Sequence, residues 1–545
     1  RAGLPPLPDK PGATVKGYVE CEGRGVEGVV VSDGFNVVKT DAEGRYWLKT
    51  KLSRSEFVMI STPRGYDPEV YSGFLPKFFH ALDKTADKKS VQQFDFHLTR
   101  AANDDYTLLV VADEHVSGRV IDIPPGSGNV IAPVDSIQFR DDFMPRLVEY
   151  ADSLMRRTPV YGLNLGDMTH SEYWFRNNTG MAEYLRLAKD TPFLMYHVIG
   201  NHDHCHKYEN DYEAEAEYRK YFGPTYYSFN IGKAHFIMLD NTVYLNAGAD
   251  ASTRTPGDHS YNSAFTEMEL AWLKADLATV KDKNAPLVIG THCQVFYYNS
   301  SLDITPSMAY GHSTVLDQLL ADFTDVHIIS GHTHNNTTMK IRNGLMEHNT
   351  GGSCATWWWT GYYSNGHICK DGAPGGMGVY EFRDTDLEWY YKGYGEPRDF
   401  QLRTYDMNNV KTFFANNSVI RNMIRYYPDR NDYANVGNNV VYINVWGWDP
   451  EWKVSVKENG VELNPTRVYM KDPLHTYAYD ATRVYKNSNN TYTEVLTSSN
   501  NYHLFAANAS SATSTLTIEV TDRFGNKYTE TMSRPKEFAA QIENL

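Results

Sequence analysis

The sequence predicts a layered α/β unit with a β-rich segment on either side. Three observations support this fold class. Residues 12 to about 100 carry short strand and turn patterns, residues 106–391 alternate apolar strands with helical patterns, and residues 440–532 return to strands. Alternating strands and helices are typical of a mixed sheet that is covered by helices. We therefore expect domains at residues 12–100, 104–392 and 395–545.

Length and charge narrow the functional classes. The chain has 545 residues and a formal net charge of -15, and this length predicts about three or four domains. The negative charge argues against a nucleic-acid-binding surface and against binding to anionic membranes. No apolar window approaches the roughly 18 residues that span a bilayer. An anionic substrate would need a local cation, which a bound metal supplies.

The start of the chain and its cysteines bear on the compartment. Residue 1 is Arg and not Met, and the proline-rich opening up to Pro11 resembles a flexible tether. Both features fit an exported, periplasmic or extracellular protein from which a signal segment has been removed. The cysteines lack zinc-finger spacing. Cys354 and Cys369 could form a disulfide, and the alternative is that they are free buried thiols.

The N-terminal segment predicts a small β-sandwich. Its strand patterns lie at 14–20, 26–31, 45–48, 57–61 and 94–98. The turn Asp41-Ala42-Glu43-Gly44 precedes the third of them. This pattern resembles the transthyretin-like or carboxypeptidase-regulatory-like accessory domains. The resemblance implies a supporting module without catalytic residues.

The middle segment predicts a mixed sheet with covering helices. Strand patterns lie at 106–112, 160–165, 193–199, 226–231, 234–239, 286–290, 326–330, 339–342, 378–382 and 387–391. Helical patterns lie at 137–155, 180–189, 212–222, 265–280 and 314–323. These elements alternate along the chain, as in layered α/β proteins.

The C-terminal segment predicts an immunoglobulin-like sandwich. After a connection at about 395–438, strand patterns lie at 440–446, 453–457, 461–463, 513–520 and 527–532. Asn459-Gly460 and Gly525-Asn526 stand between two pairs of these strands, and Asn-Gly is a strong hairpin signal. Two hairpins and a further alternating strand favour an antiparallel sandwich.

Short polar clusters follow strands of the middle segment. They are Asp113-Glu114-His115, Gly166-Asp167, Gly200-Asn201-His202-Asp203, Thr291-His292 and Gly331-His332-Thr333-His334. Each alone is a common turn. In α/β sheets, ligand sites gather at the carboxyl ends of strands. We therefore expect the clusters to converge in space although they are far apart in sequence.

The residue types in these clusters fit a pair of divalent ions. Two ions about 3.5–4 Å apart need a bridging carboxylate, histidines and hard oxygens, and Asp167 is the natural bridge. Asp113, His115 and His334 would complete one ion, and Asn201, His292 and His332 the other. His202 is then left without a metal and can protonate a leaving oxygen, with Asp203 orienting it or stabilising its charge. The mixed nitrogen and oxygen set suits Mn, Fe, Zn or Co.

The ordered set of clusters resembles the calcineurin-like metallophosphoesterases, and the resemblance covers about residues 104–392. The chain looks most similar to a bacterial three-domain subset with β-rich domains at both ends. The resemblance implies an α/β/β/α sandwich, hydrolysis of a phosphomonoester or phosphodiester, and in-line attack by a metal-bridging hydroxide. Purple acid phosphatases carry a metal-binding tyrosine three residues after the Gly-Asp aspartate. Here that residue is His170, which argues against the iron–tyrosinate variant.

An aromatic stretch predicts a second part of the site. Trp357, Trp358, Trp359 and Tyr362 follow the last metal cluster and could form a stacking wall for a sugar, a base or a lipid headgroup. The alternative is an inter-domain packing cluster. His170 could contact substrate or be a surface histidine.

Two functions therefore stand at this stage. The first is hydrolysis of a small-molecule, glycan or lipid phosphate ester. The alternative is a secreted glycan-binding protein with an inactive phosphoesterase core, which requires missing ligands, and the sequence lacks none of them. The choice between monoesterase and diesterase, and the oligomeric state, are not predicted.

Overall fold

A computed structural model describes residues 4–301, 303–307, 311–354, 360, 364, 366–430, 433–486, 492–493 and 498–538. Within this part of the chain, every helix is too short or too polar to cross a membrane.

The middle segment contains a five-stranded sheet. Its strands, in spatial order, are Leu194–His197, Val160–Asn164, Asp105–Val111, Gly376–Arg383 and Asp386–Gly393. The first three run parallel to one another, and the last two add antiparallel strands. Since the strand Asp105–Val111 has neighbours on both sides, it is buried almost throughout.

A six-stranded sheet lies against the first. Its strands, in spatial order, are Tyr227–Ile231, Ala234–Met238, Leu287–Thr291, Val326–Ser330, Leu345–Asn349 and Thr337–Arg342. The four inner strands are parallel, and both edge strands are antiparallel.

Alternate side chains of one strand show how the layers stack. Leu108 and Val110 belong to the core that the two sheets share, whereas Leu109 and Val111 face the outer core formed with helices. A strand that is buried on both faces needs the continuous apolar run that the sequence shows.

Helices cover the outer faces of both sheets, giving four layers. Met144–Met155 and Met181–Leu187 pack on the five-stranded sheet, and Glu267–Leu277 and Gly311–Leu319 pack on the six-stranded one. The helix Met144–Met155 continues from the short helix Asp135–Gln138 through the π-helical turn Phe139–Phe143. Other helices that the structure describes in this segment include Glu172–Arg176, the 3-10 helix Asn201–Asp203, Asp211–Ala214 and Ala216–Phe222. The last two divide the single helix predicted at 212–222.

The N-terminal segment forms two β-sheets. Their strands are Val15–Cys21, Arg24–Gly25, Val30–Ser32, Val37–Lys39, Arg45–Leu48, Phe57–Ser61, Tyr66–Tyr71, Leu75–Lys77, Phe79–Ala81, Gln92–Gln93 and Phe96–Arg100. Backbone hydrogen bonds from Asn230 N to Thr62 O (2.8 Å) and from Met195 N to Phe74 O (3.0 Å) attach this segment to both central sheets.

The C-terminal segment is a two-layer β structure with an added helical layer. One antiparallel sheet contains Arg403–Asp406, Val440–Asn444, Asn501–Asn508 and Thr466–Met470, and the other contains Val461–Glu462, Lys453–Glu458, Leu516–Thr521 and Lys527–Met532. The two sheets share a core. The helices Met407–Asn416 and Ser418–Tyr426 cover the other face of the first sheet, where the sequence predicted only a connection.

The mixed α/β centre and the β-rich flanks are confirmed. The strand Leu345–Asn349 was not predicted, although it lies inside the six-stranded sheet. The transthyretin-like and immunoglobulin-like assignments of the flanking segments stay predictions.

Candidate metal centre

All the predicted polar clusters lie at the carboxyl ends of parallel strands. Asp113 and Asp167 follow Asp105–Val111 and Val160–Asn164 in one sheet, and His292 follows Leu287–Thr291 in the other. The two sheets face each other, so these strand ends meet along one edge of the sandwich.

The backbone of the predicted ligands is unusual. Asp113, His115, Asp167, His332 and His334 all have a positive φ, between 47° and 70°. Residues other than glycine pay roughly 1–2 kcal/mol for this conformation. Backbone strain of this kind persists where the surrounding structure enforces it, and it clusters at functional sites.

Two glycines let the loops approach each other closely. A Cβ atom at Gly200 would lie 2.2 Å from Asp167 N and from Asp167 Oδ1. One at Gly331 would lie 2.9 Å from Asp113 Oδ2. Glycine is therefore required for packing at both positions.

One group of ligand atoms comes from Asp113, His115 and His334. His334 Nε2 lies 3.2 Å from His115 Nε2 and 3.5 Å from Asp113 Oδ1. His115 Nε2 lies 3.7 Å from the same Asp113 oxygen. Two imidazole nitrogens and a carboxylate oxygen thus face a common point.

A second group comes from Asp167, His292 and His332, with Asn201 beside it. Asp167 Oδ2 lies 3.1 Å from His292 Nε2 and also 3.5 Å from His115 Nε2 of the first group. Asn201 Oδ1 and His332 Nδ1 lie 3.0 Å and 3.2 Å from His292 Nε2. Asp167 therefore stands between the two groups.

Each carboxylate has one oxygen bound to the backbone and one directed into the site. Asp113 Oδ2 accepts a hydrogen bond from His332 N, and Asp167 Oδ1 accepts one from His202 N. Among the described residues, Asp113 Oδ1 accepts no hydrogen bond. His292 Nδ1 donates to Leu165 O at 2.8 Å, so Nε2 is the nitrogen directed at Asp167, where it would bind a cation once it has lost its proton.

The electrostatics of the site keep both carboxylates ionised. Burial alone would raise the pKa of Asp167, but the facing rings of His292 and His202 bring that pKa well below its usual value. Burial alone would likewise lower the pKa of His292, yet Asp167 raises it well above its usual value. A buried site in which carboxylates and imidazoles hold each other in this way is suited to a cation.

His202 lies beside the two groups and belongs to neither of the ligand sets above. Its ring stacks on His170 at 4.1 Å between centroids and lies 5.2 Å from the ring of His115. It is half-buried, and burial lowers its pKa to about 3. His170 itself is 3% exposed, so it is a neighbour of His202 and not the surface histidine of the alternative interpretation.

Asp203 has a different place from the one predicted. Its carboxylate accepts hydrogen bonds from the backbone N–H groups of Asp167, Thr169 and Gly200 and from the Thr169 hydroxyl. The prediction directed this carboxylate at the ring of His202. Unsatisfied amides of the tightly turned loops recruit it instead, so Asp203 fixes the loops that carry Asp167 and His202.

Tyr261 is a site residue that the sequence analysis missed. Its hydroxyl lies 2.9 Å from His332 Nε2, so His332 presents Nδ1 to the ligand group. Tyr261 lies in the short strand Tyr261–Ser263, which is far in sequence from every predicted polar cluster. No sequence signal distinguishes it from other tyrosines.

The C-terminal segment supports the loop after His334. Asp371 Oδ2 accepts a hydrogen bond from Asn336 N at 2.6 Å and lies 3.0 Å from His503 Nε2. Asn444 Nδ2 donates to Asp371 O at 2.7 Å. This buried network connects the C-terminal sheet to the metal-site loop.

The remaining predicted features have mixed outcomes. Trp357, Trp358, Trp359 and Tyr362 lie outside the described residues, so the stacking wall stays a prediction. All five cysteines are free and buried, so the Cys354–Cys369 disulfide is absent.

Family models match the chain along most of its length. The model for calcineurin-like phosphoesterase matches residues 106–336. Models for the N terminal and the C terminal of calcineurin-like phosphoesterase match residues 13–101 and 347–528. No curated protein matches the chain.

Solved structures similar to the chain include two phosphatases and a 5'-nucleotidase. A dimetal phosphatase from Danio rerio is 13% identical, with 53% of this chain and 96% of that chain covered and a TM-score of 0.36. A purple acid phosphatase from yellow lupin (Lupinus luteus) seeds is 11% identical, with 68% of this chain and 68% of that chain covered and a TM-score of 0.35. A 5'-nucleotidase from Candida albicans is 13% identical, with 54% of this chain and 52% of that chain covered and a TM-score of 0.31.

Proposed function

We propose that this chain, which belongs to the calcineurin-like phosphoesterase family, uses two divalent metal ions to hydrolyse a phosphomonoester or phosphodiester. The family makes it a metal-dependent phosphoesterase. The number of ions, the ligands and the role of His202 are our proposal. The observation that carries it is the position of Asp167 Oδ2, which lies 3.5 Å from His115 Nε2 and 3.1 Å from His292 Nε2.

The residues present fit such a pair of ions. Imidazole nitrogens face one another at 3.2 Å in both groups, and Asp113 Oδ1 lacks a hydrogen bond among the described residues. Two imidazole nitrogens at this distance, with a carboxylate beside them, can share a proton or bind a common cation. We propose that one ion is held by Asp113, His115, His334 and Asp167. We propose that the other is held by Asp167, Asn201, His292 and His332.

When bound, two such ions lower the pKa of water and neutralise charge on phosphoryl oxygens. The chain supplies the proton for the leaving group. We assign that role to the half-buried imidazole of His202, whose ring is placed by stacking on His170 and whose backbone N–H binds Asp167. A phosphate anion next to His202 favours the imidazolium form, because an opposite charge raises the pKa of a histidine.

Enzyme assays test the proposal directly. Apoprotein reconstituted with Mn, Fe, Zn or Co should hydrolyse para-nitrophenyl phosphate or bis(para-nitrophenyl) phosphate. Asp167→Asn should lose both turnover and bound metal, because it removes the bridging charge. Asp322→Asn, an exposed aspartate of the same segment, should retain both. Absence of turnover with every metal in folded wild-type protein would overturn the proposal.

We also propose domain limits at residues 12–100, 104–392 and 395–545. The sheet pairing supports a central unit that extends to 392, because Gly376–Arg383 pairs with Asp105–Val111 and Asp386–Gly393 follows it in the same sheet. A glycan or lipid ester as substrate, the lack of nucleic-acid binding and export of the protein stay predictions.

A further inference from the structure

A separate group of metal-binding side chains lies behind the catalytic loop. A ring nitrogen of His204 and a carboxylate oxygen of each of Glu215 and Asp240 all lie within 4.8 Å of one another. The three side chains come from the loop after His202, from the junction of two short helices, and from the end of the strand Ala234–Met238. Their exposed fractions are 0%, 7% and 7%. None of the three belongs to the metal centre described above.

The ring of His204 is oriented with a lone pair towards carboxylates. His204 Nδ1 lies 2.8 Å from Gly200 O, and because a carbonyl oxygen only accepts, Nδ1 must donate. In the neutral ring, Nε2 then carries a lone pair. Among the described residues Nε2 has no hydrogen-bond partner, and it lies 3.7 Å from Asp211 Oδ1 and 3.9 Å from Glu215 Oε1. A buried lone pair that faces carboxylate oxygens is repulsive unless a proton or a cation lies between them.

The surroundings carry more acidic than basic side chains. Asp211 and Glu269 adjoin Glu215 and Asp240, and Glu269 Oε1 accepts the backbone N–H of Asp240 at 2.8 Å. Arg219 contributes one positive charge through its 2.9 Å contact with Glu215. Burial and the charge of Asp211 raise the pKa of Asp240 to about 7. The group therefore takes up either protons or a cation.

We propose that His204, Glu215 and Asp240 bind a third divalent transition-metal ion, with Asp211 at its margin. One imidazole nitrogen with carboxylate oxygens suits Zn²⁺ or Mn²⁺ better than Ca²⁺, which takes oxygen ligands. Inward shifts of up to about 0.8 Å per atom would bring the three atoms to the roughly 3.4 Å separation of tetrahedral zinc ligands. The proposal does not rest on the catalytic function.

A cavity gives such an ion access. A space of about 290 Å³ between the N-terminal and central segments is lined by Asp211, Glu215 and Asp240. Arg54 also lines it, but its guanidinium lies over the ring of Phe35 at 3.7 Å. Three carboxylates of the group thus face this cavity, together with Arg219, which is paired with Glu215.

The ion would stiffen the catalytic loop. His204 is hydrogen-bonded to Gly200 O, so the chain between them, which carries Asn201 and His202, is closed into a compact turn. Fixing His204 to Glu215 and Asp240 would attach this turn to a helix and a strand. We therefore assign the third ion a structural role.

Anomalous diffraction on the wild-type chain tests the site without any substitution. Crystals of protein incubated with Zn²⁺ should show an anomalous peak at the zinc edge between His204, Glu215 and Asp240. Absence of a peak there would overturn the proposal, whether or not the catalytic site contains metal. In that case protons alone neutralise the group.

Metal counting in solution separates this site from the catalytic one. The variant Asp113→Asn/Asp167→Asn, which lacks both catalytic carboxylates, should retain about one Zn²⁺ per chain by mass spectrometry. Adding Asp240→Asn should remove this ion, whereas adding Glu269→Gln, a matched change in the same acidic group, should not. A count of zero in the folded double variant would overturn the proposal. Failure of the wild type to hydrolyse phosphate esters would alter none of these counts.

Discussion

Replacing Gly200 with alanine tests whether close loop packing positions Asp167, the carboxylate that we propose bridges the metal ions. The added Cβ would lie 2.2 Å from Asp167 N and Oδ1, whereas ordinary contacts begin at 3.4 Å. The φ of Gly200 is -98°, which alanine adopts without strain, so the effect is purely steric. Asp167 must therefore move by about 1 Å. Gly331→Ala is a milder version, because its Cβ would lie 2.9 Å from Asp113 Oδ2 and requires a shift of about 0.5 Å.

The expected losses follow the size of these shifts. A displacement of about 1 Å in a catalytic group can cost about 100-fold in rate, so we expect Gly200→Ala to lower kcat/KM by about 100-fold. Overpacking should also lower the free energy of unfolding by about 1–3 kcal/mol. For Gly331→Ala, with about half the shift, we expect a loss of about 10-fold.

The assay combines kcat/KM for an aryl phosphate with metal content and the midpoint of thermal unfolding. Gly311→Ala is the matched control, because a Cβ there would meet nothing within 4 Å. The order of activity should be Gly311→Ala, then Gly331→Ala, then Gly200→Ala. If Gly200→Ala keeps wild-type metal content and rate, the inference that this contact positions Asp167 is refuted.

Further substitutions probe the proton donor, the support of a ligand and a buried acid. His202→Asn should lower kcat for alkyl phosphates by about 10²–10⁴-fold, because their leaving oxygen needs a proton, and should lower it less for aryl phosphates. Equal losses on both esters, or loss of metal, would contradict the role assigned to His202. Tyr261→Phe removes the hydroxyl 2.9 Å from His332 Nε2 and should weaken metal binding by about 10–100-fold in a chelator competition, and an unchanged affinity would count against it. Burial raises the pKa of Glu347 from 4.5 to about 8. The folded chain then keeps a proton that the unfolded chain loses, and the free energy of unfolding should fall by at most about 5 kcal/mol between pH 4.5 and 8. Denaturant titrations should show a shallower fall for Glu347→Gln, and parallel curves would exclude the effect.

The strand ends of the central segment could be predicted because a strand buried on both faces appears in the sequence as an uninterrupted apolar run. Leu108 to Ala112 is apolar without interruption, since alternate side chains face the other sheet and the helices. Where such a run stops, the strand stops, and the polar residues that follow lie at the sheet edge. The convergence of the ligand clusters follows from this pattern.

Other elements could not be predicted because tertiary contacts override local preference. The strand Leu345–Asn349 contains buried Glu347, His348 and Asn349, whose hydrogen bonds are supplied by distant loops and strands. The helix Met407–Asn416 is rich in asparagine, a poor helix former, and is stabilised by packing on the C-terminal sheet.

In the site, too, local sequence predicts some features, and others depend on residues that are distant in sequence. Residue types and strand ends predicted which residues we propose as ligands, but hydrogen-bond partners depend on where the loops meet. Asp203 binds backbone amides that its own sequence position does not reveal. Tyr261 reaches His332 across 71 positions of sequence.

The pairing of Gly376–Arg383 with Asp105–Val111 has a practical consequence for anyone who prepares fragments. A piece of the chain that ends near residue 336 would leave the strand Asp105–Val111 with unpaired N–H and C=O groups along one side. Exposed apolar strand edges of this kind recruit other chains and cause aggregation. A fragment that contains the central unit must therefore include the strands Gly376–Arg383 and Asp386–Gly393.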